Sequence, residues 1–269
     1  MSNISIFENV LISGCSFSSD DHSGWSSEHM HKHYPNILRR KTGWNIDNIA
    51  IGGCSNNEIL LRTTEHCIKN KPDLCIIQWS SLHRFWVYES NNNIDEATRI
   101  LPSVCGRNSQ NKNANLLHKI LIANYLNNYV DLKHWLEYQI LLQSFLKSEN
   151  IPYIFLKGFN NYIAELEFIV SQYPFNNIPD IKIPQSIRDM LHFDQNPDYV
   201  LLDKLLTLVE LYIKIDKNNC LGYNCNDTEY GLDYNFRDHN DYADDGRHPG
   251  EKTNLLLADK ILQHLTGLQ

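Results

Sequence analysis

The chain has 269 residues, 42% hydrophobic and 21% charged, a globular make-up long enough to bury a core without disulfides or metal. Its 24 basic and 32 acidic residues leave a formal charge of −8, which argues against a nucleic-acid groove or a surface for anionic membranes. No apolar run approaches the ~20 residues of a membrane span, and Met1 to Glu8 lacks the basic and apolar regions of a secretory signal, so a cytoplasmic location is expected. The seven cysteines form no Cys-x-x-Cys pair and read as reduced thiols.

In chain order, Glu8 to Ile12 reads as a buried strand ended by Ser13-Gly14. Residues 28–41 carry a loose helical pattern stopped by Gly43. Trp44 to Ile51 is strand-like and ends at Gly52-Gly53. Ser55 is a plausible N-cap for a helix over Asn56 to Ile68. Leu74-Cys75-Ile76-Ile77 suits a central parallel strand. After a polar, Asn-rich stretch, residues 115–148 return to helical spacing, and Pro152 opens the strand Tyr153 to Leu156. Residues 199–215 are helical in spacing, 218–247 are polar and irregular, and Pro249 to Leu265 is a closing helix with Gly267 past its end. A fifth strand is expected late in the chain, with no position fixed for it. Strands and helices alternate, which implies a parallel sheet covered by helices. We read one domain, with insertions at about 85–115 and 158–198.

Open parallel sheets build their sites beyond the carboxyl ends of the strands. There the sequence places Gly14-Cys15-Ser16-Phe17-Ser18, Gly52-Gly53-Cys54-Ser55-Asn56 and Gln78-Trp79-Ser80-Ser81, while Asp244-Asp245-Gly246-Arg247-His248-Pro249 precedes the last helix. The fitting chemistry is nucleophilic acyl transfer. A serine hydroxyl needs a base, a histidine serves near neutral pH, and a carboxylate must hold the imidazole in one tautomer. Asp245 and His248 are three residues apart, so one short turn can bring both to the same side. Backbone N–H groups of glycine-rich turns can bind the developing oxyanion.

These blocks resemble the SGNH hydrolases, also called GDSL-type esterases and lipases, over nearly the whole chain. The family's Gly-Asp-Ser appears as Gly14-Cys15-Ser16, which makes Ser16 the expected nucleophile. The segment Asn48 to Asn56 resembles the second block, with Gly53 matching its oxyanion glycine, and Asp245-Gly246-Arg247-His248 matches the closing Asp-x-x-His. The third block, usually Gly-x-Asn-Asp, reads Gln78-Trp79-Ser80-Ser81, so Ser80 stands where the family has its oxyanion asparagine. The resemblance implies a three-layer α/β/α sandwich, flavodoxin-like, with a five-stranded parallel sheet in the order 2-1-3-4-5. It also implies a serine ester hydrolase with the catalytic set Ser16, Asp245 and His248, an oxyanion hole from Ser16, Gly53 and Ser80, and no cofactor. A small soluble ester or an O-acyl carbohydrate is the expected substrate. Acyl transfer to a sugar hydroxyl, or a ligand-binding relative without activity, are the alternatives.

Other residues carry two readings each. Asn56, Trp79 and Arg84 are candidate substrate contacts. Trp79, Phe85 and Trp86 fit a sugar-binding cleft or the core equally. His29, His31 and His33 read as a solvated cluster rather than a metal site. Asp238, Asp241, Asp244 and Asp245 lack calcium-loop spacing and read as a polar loop. Cys15 and Cys54 should lie close together, as packed thiols rather than a redox or metal pair.

Overall fold

The computed structural model describes residues 7–21, 24–87, 98–100, 127–159, 162–172, 182–191, 198–221 and 240–267. A five-stranded parallel sheet lies at the centre. Its strands are β1 (Asn9–Ser13), β2 (Asn45–Asn48), β3 (Leu74–Trp79), β6 (Tyr153–Lys157) and β7 (Cys220–Leu221). Their order, β2-β1-β3-β6-β7, is the expected 2-1-3-4-5. The helices are α1 (Tyr34–Thr42), α2 (Asn56–Asn70), α3 (Asn128–Ser148), α4 (Ile163–Val170), α5 (Gln185–Met190), α6 (Asp198–Ile213) and α7 (Glu251–Gly267). They pack in two groups, α1 against α7 on one side and α2, α3, α6 and α4 in succession on the other. Among the described residues, no helix is long and apolar enough to cross a membrane.

The apolar signal is strongest in β1 and β3, two of the three inner strands. Val10, Leu11 and Ile12 of β1 are buried, and so is every residue of β3, as a strand covered on both faces requires. Ser13 pairs with Ile77, and Ile77 pairs with Phe155. This register sets the carboxyl ends of β3 and β6 level with one another and carries both two residues past the end of β1. The chain leaves β1 toward β2 and crosses back to β3, so the sheet's switch point lies between β1 and β3, where such folds open a crevice.

Several boundaries differ from the sequence expectation. The first helix begins at Tyr34 rather than residue 28, after a 3₁₀ turn at Met30–Lys32. Pro35 dictates this, because a residue without an N–H fits the first turn and breaks an interior. Strand β2 stops at Asn48, whose side chain turns the backbone by accepting from the Ala50 N–H and donating to the Ser18 carbonyl. Strand β3 runs two residues further than expected, through Gln78 and Trp79, because both pair with β6. The fifth strand is β7, inside the stretch read as irregular. Two residues hold no periodicity, and only pairing with Phe155 and Leu156 makes them a strand. The closing helix includes Gly267 instead of ending before it. Ser55 caps α2, its hydroxyl accepting from the Glu58 N–H. In the first proposed insertion, β4 (Phe85–Val87) pairs antiparallel with β5 (Thr98–Ile100), while residues 88–97 and 101–126 lie outside the described residues. The second holds α4 and α5.

Candidate active site

The turn after β1 is wound tightly. The Cys15 carbonyl accepts from the N–H groups of Ser18 and Ser19, at 2.9 and 3.1 Å, so the backbone curls over Ser16 and Phe17. Ser16 is nearly buried. The adjoining turn is tied to it: the Ile51 N–H donates to the Gly14 carbonyl, and Gly53 follows at φ 77°, a left-handed conformation that suits glycine. The Ser80 N–H donates to Asn56 Oδ1 at 2.8 Å, and Asn56 Nδ2 donates to the Ser81 carbonyl at 3.0 Å. Asn56 therefore locks the end of β3 to the start of α2.

Asp245 and His248 meet as their spacing suggests. His248 Nδ1 is 2.6 Å from Asp245 Oδ2, while Asp245 Oδ1 accepts the backbone N–H groups of Arg247 and His248. Burial pulls the Asp245 carboxyl up, but these hydrogen bonds and the imidazole outweigh it and hold it below its usual range. An ionised carboxylate only accepts, so His248 donates from Nδ1 and turns Nε2 away from Asp245. The loop is closed by hydrogen bonds from the Ala243 N–H to the His248 carbonyl and from the Gly250 N–H to the Asp241 carbonyl. Gly24, at φ 80°, supports the pair from outside: its carbonyl accepts the Asp245 N–H, and a Cβ there would sit 2.7 Å from Asp245 Oδ1 and 2.8 Å from His248 Cβ.

His248 reaches the turn after β1 through Phe17. The two rings meet edge to face at 5.7 Å, which sets the imidazole beside the residue next to Ser16. No hydrogen bond joins Ser16 to His248 among the described residues. The aromatic contact continues outward. Phe17 stacks on Phe159 at 4.8 Å, and the Arg84 guanidinium lies 4.9 Å from the Phe159 ring centre. Arg84 Nη1 is buried with no hydrogen-bond partner among the described residues.

Beyond Arg84 opens a cavity of about 320 Å³, walled by Asn56, Leu82, Arg84, Asp131, His134 and Tyr138, among others. Asp131 is nearly buried, and its carboxylate accepts from His83 Nδ1 at 2.8 Å. His134 and Tyr138 stack beside it at 6.0 Å. Burial, with help from Glu137 and Asp131, raises the Tyr138 phenol above its ordinary pKa, so it stays a hydrogen-bond donor.

The other sequence candidates fall in different places. Trp79 is not a substrate contact. It is fully buried and packs edge-on against Phe155 at 5.3 Å, because β3 is covered on both faces. Of the three histidines, His29 and His31 stay near solvent with their rings 6.4 Å apart, while His33 leaves the expected solvated cluster for the interior. His33 is 1% exposed and hydrogen-bonds the Phe17 carbonyl, while His29 faces Asp244 and His31 faces the Glu28 carbonyl. The aspartates divide their work. Asp244 holds Ser26 and His29, Asp241 caps α7 by accepting the Thr253 N–H, and Asp238 lies outside the described residues. The side chains of Phe85 and Trp86 also lie outside them. Cys15 and Cys54 are buried, but the Cys15 thiol turns to Gln78. The close thiols are Cys67 and Cys75, 3.5 Å apart, which the sequence spacing did not single out. Sequence reasoning also missed Gly24, Phe159, Asp131 and Gln78. Gln78 alone had left a trace, as a lone polar residue in an otherwise apolar strand.

No sequence-family description matches the chain, nor does any curated protein. Solved structures do. The psychrotrophic esterase EstA from Pseudoalteromonas sp. is 11% identical over 97% of this chain and 98% of its own, with a TM-score of 0.44. A putative SGNH hydrolase from Slackia heliotrinireducens is 12% identical over 96% and 99%, with a TM-score of 0.43. An acetylxylan esterase from Geobacillus stearothermophilus is 15% identical over 96% and 94%, with a TM-score of 0.46.

Proposed function

We propose that this chain is a serine ester hydrolase of the SGNH type, acting on a small, hydroxyl-rich O-acyl ester. The observation that carries the reading is the Asp245–His248 pair, with its 2.6 Å contact and an imidazole tautomer fixed by an ionised carboxylate, set against Phe17 beside Ser16. In the proposed reaction His248 Nε2 takes the Ser16 hydroxyl proton as Oγ attacks the acyl carbonyl. The tetrahedral oxyanion is held by the backbone N–H groups of Ser16 and Gly53; the Ser80 hydroxyl, the third donor expected from the sequence, is fully buried in the fold and is not assigned to it. His248 returns the proton to the leaving alkoxide, leaving an acyl-serine. A water then gives its proton to His248 and attacks the acyl carbonyl; as the Oγ–acyl bond breaks, His248 returns that proton to Ser16 Oγ and the carboxylic acid is released. Asp245 keeps the imidazole oriented and stabilises its charged form. The scheme needs no cofactor.

The cavity supports the choice of substrate. Its walls offer a carboxylate, a guanidinium with an unused N–H, a carboxamide, an imidazole and a phenol, with Leu82 as an apolar side chain. The polar groups of this lining can pair with the hydroxyls of a sugar or polyol, while Leu82 and the ring faces of His134 and Tyr138 offer apolar surface to the rest of the molecule. One observation favours the inactive, ligand-binding alternative: Ser16 and His248 share no hydrogen bond among the described residues. Such bonds commonly tighten only when substrate is bound.

A fluorophosphonate probe tests the reading without a known substrate. The expected result is an adduct on the Ser16 peptide that is lost in Ser16→Ala and His248→Ala, followed by activity in a screen of acetylated sugars. An unlabelled, well-folded protein overturns hydrolysis in favour of ligand binding. Product analysis with added sugar acceptors separates hydrolysis from acyl transfer.

A further inference from the structure

A buried polar side chain in the central strand of a sheet is costly unless every polar atom is satisfied. Gln78 is fully buried near the end of β3. Its Oε1 accepts from the Cys15 N–H at 3.2 Å, the Cys15 thiol at 3.1 Å and the Ser18 hydroxyl at 3.3 Å. Its Nε2 donates to the Trp79 carbonyl. The two ends are not interchangeable, because one faces donors and the other faces a carbonyl. The network reaches further. Ser18 Oγ is 2.8 Å from the Tyr34 hydroxyl, and since Ser18 gives its proton to Gln78, Tyr34 donates to Ser18. Burial raises the Tyr34 phenol well above its ordinary pKa, against the opposing pull of Ser18, so that donor persists across the neutral range.

The neighbouring strands make room for this side chain. At Gly14 a Cβ would lie 2.9 Å from the Gln78 carbonyl and 3.0 Å from its Cβ. At Gly158, just past β6, a Cβ would collide with Gln78 Nε2 and the Trp79 carbonyl. A glycine on each side thus frames one glutamine at the carboxyl edge of the sheet. Cys15 and Gln78 are also two positions where the chain departs from the Gly-Asp-Ser and Gly-x-Asn-Asp blocks it resembles, and they touch. A hydrophobic side chain would fill the same space for the core. The carboxamide instead gathers Cys15 and Ser18, the residues flanking Ser16 and Phe17, onto one atom while its other end donates to the Trp79 carbonyl.

We infer that Gln78 is the positioning residue of Ser16, fixing the Gly14–Ser18 turn so that the hydroxyl is held where His248 can deprotonate it. This inference rests on the reading of Ser16 as nucleophile. Gln78 touches neither substrate nor the reacting atoms, and acts through the turn.

Two substitutions test it in the full chain. Gln78→Met keeps the volume and removes the acceptor. Gln78→Glu reproduces the carboxamide only while protonated, when its O–H can donate to the Trp79 carbonyl; once ionised it faces that carbonyl with a charged oxygen. In saturation labelling by a fluorophosphonate, Gln78→Met is expected to lower the maximal labelling rate about 10–100-fold while the half-saturating concentration holds. Gln78→Glu is expected to track the wild type at mildly acid pH and to fall away from it as pH rises. A role confined to stability would lower the melting temperature and leave the labelling rate of the folded protein, and its pH profile, where they were. A maximal rate within about twofold of wild type in folded Gln78→Met overturns the inference. Hydrogen exchange on the peptide covering residues 14–18 reads the same turn without any activity. If wild type is unlabelled at Ser16, the hydrolase reading fails, and exchange alone decides: faster exchange in Gln78→Met upholds the positioning of the turn, and unchanged exchange ends it.

Discussion

The turn proposed to carry the nucleophile and the loop proposed to carry the acid–base pair are held in place by different means. Residues 14–18 are buried and fixed by side chains from far along the chain: Gln78, Tyr34, and His33 through the Phe17 carbonyl. Residues 241–250 lie nearer the surface and are fixed by their own backbone and by an exposed tie to residues 24–29, through the Gly24 carbonyl and through Ser26 and His29 on Asp244. The first region gets its geometry from buried tertiary packing and the second from local turn chemistry with that exposed tie. Losing a buried side chain under the first should loosen the turn and the core together. Altering the second should change chemistry more than stability.

The largest effects should come from the proposed reacting groups, on both sides of that divide. Ser16→Ala and His248→Ala are each expected to lower kcat by about 10⁶, and Asp245→Asn by about 10⁴ through the wrong tautomer, with melting temperatures close to wild type. Initial rates on an acetylated sugar found by the screen check this, and a fall in melting temperature that matches the loss of rate would erase the contrast. Next in size is the core beneath the first region. Trp79→Ala should destabilise the fold by about 3–5 kcal/mol in urea unfolding, through the cavity left against Phe155.

A smaller effect is expected where the two turns of the first region are joined. Asn56→Ala leaves the buried Ser80 N–H and the Ser81 carbonyl without their partner, at a cost of about 1–3 kcal/mol by the same measurement. Gly24→Ala sharpens the contrast from the other side. Its left-handed backbone resists a Cβ by about 1–2 kcal/mol, and the methyl presses on Asp245 and His248. The expected outcome is a fall in kcat out of proportion to the shift in melting temperature. If stability falls and kcat holds, Gly24 does not support the pair.

The mildest test is acid. Asp244 is held down to about 2, first by the Ser26 N–H and hydroxyl and then by His29, and Asp245 also lies below its ordinary value. Carboxyls depressed in the fold stabilise it above their unfolded value of about 3.9, and that contribution disappears as pH falls through the folded values. Urea midpoints should therefore fall between about pH 4 and pH 2, and Asp244→Asn should flatten the fall slightly. An unchanged slope in that variant would mean that Asp244 does not hold the loop.

The parts of this protein legible in sequence are those whose signals are short. The apolar run of β3, the Ser55 cap and the three-residue interval from Asp245 to His248 can each be read within one turn or one strand. Pro35 also carried a readable signal, since it forbids the helix interior expected around it. Strand β7 carried none, because two residues become a strand only by pairing with β6. Trp79 and His33 were misplaced for a related reason. An aromatic or a histidine reads alike whether it lines a cleft or fills a core, and neighbours far along the chain decide which.

By itself the sequence determined the alternation of strands and helices, the turns at the strand ends and the Asp245–His248 interval, because periodicity and local turn chemistry act over a few residues. Only the tertiary structure decided that Gln78 gathers Cys15 and Ser18, that Phe17 and Phe159 link His248 to Arg84, and that Asp131 lines the cavity. These contacts exist because the parallel register sets the carboxyl ends of β1, β3 and β6 side by side, and no spacing along the chain encodes that juxtaposition.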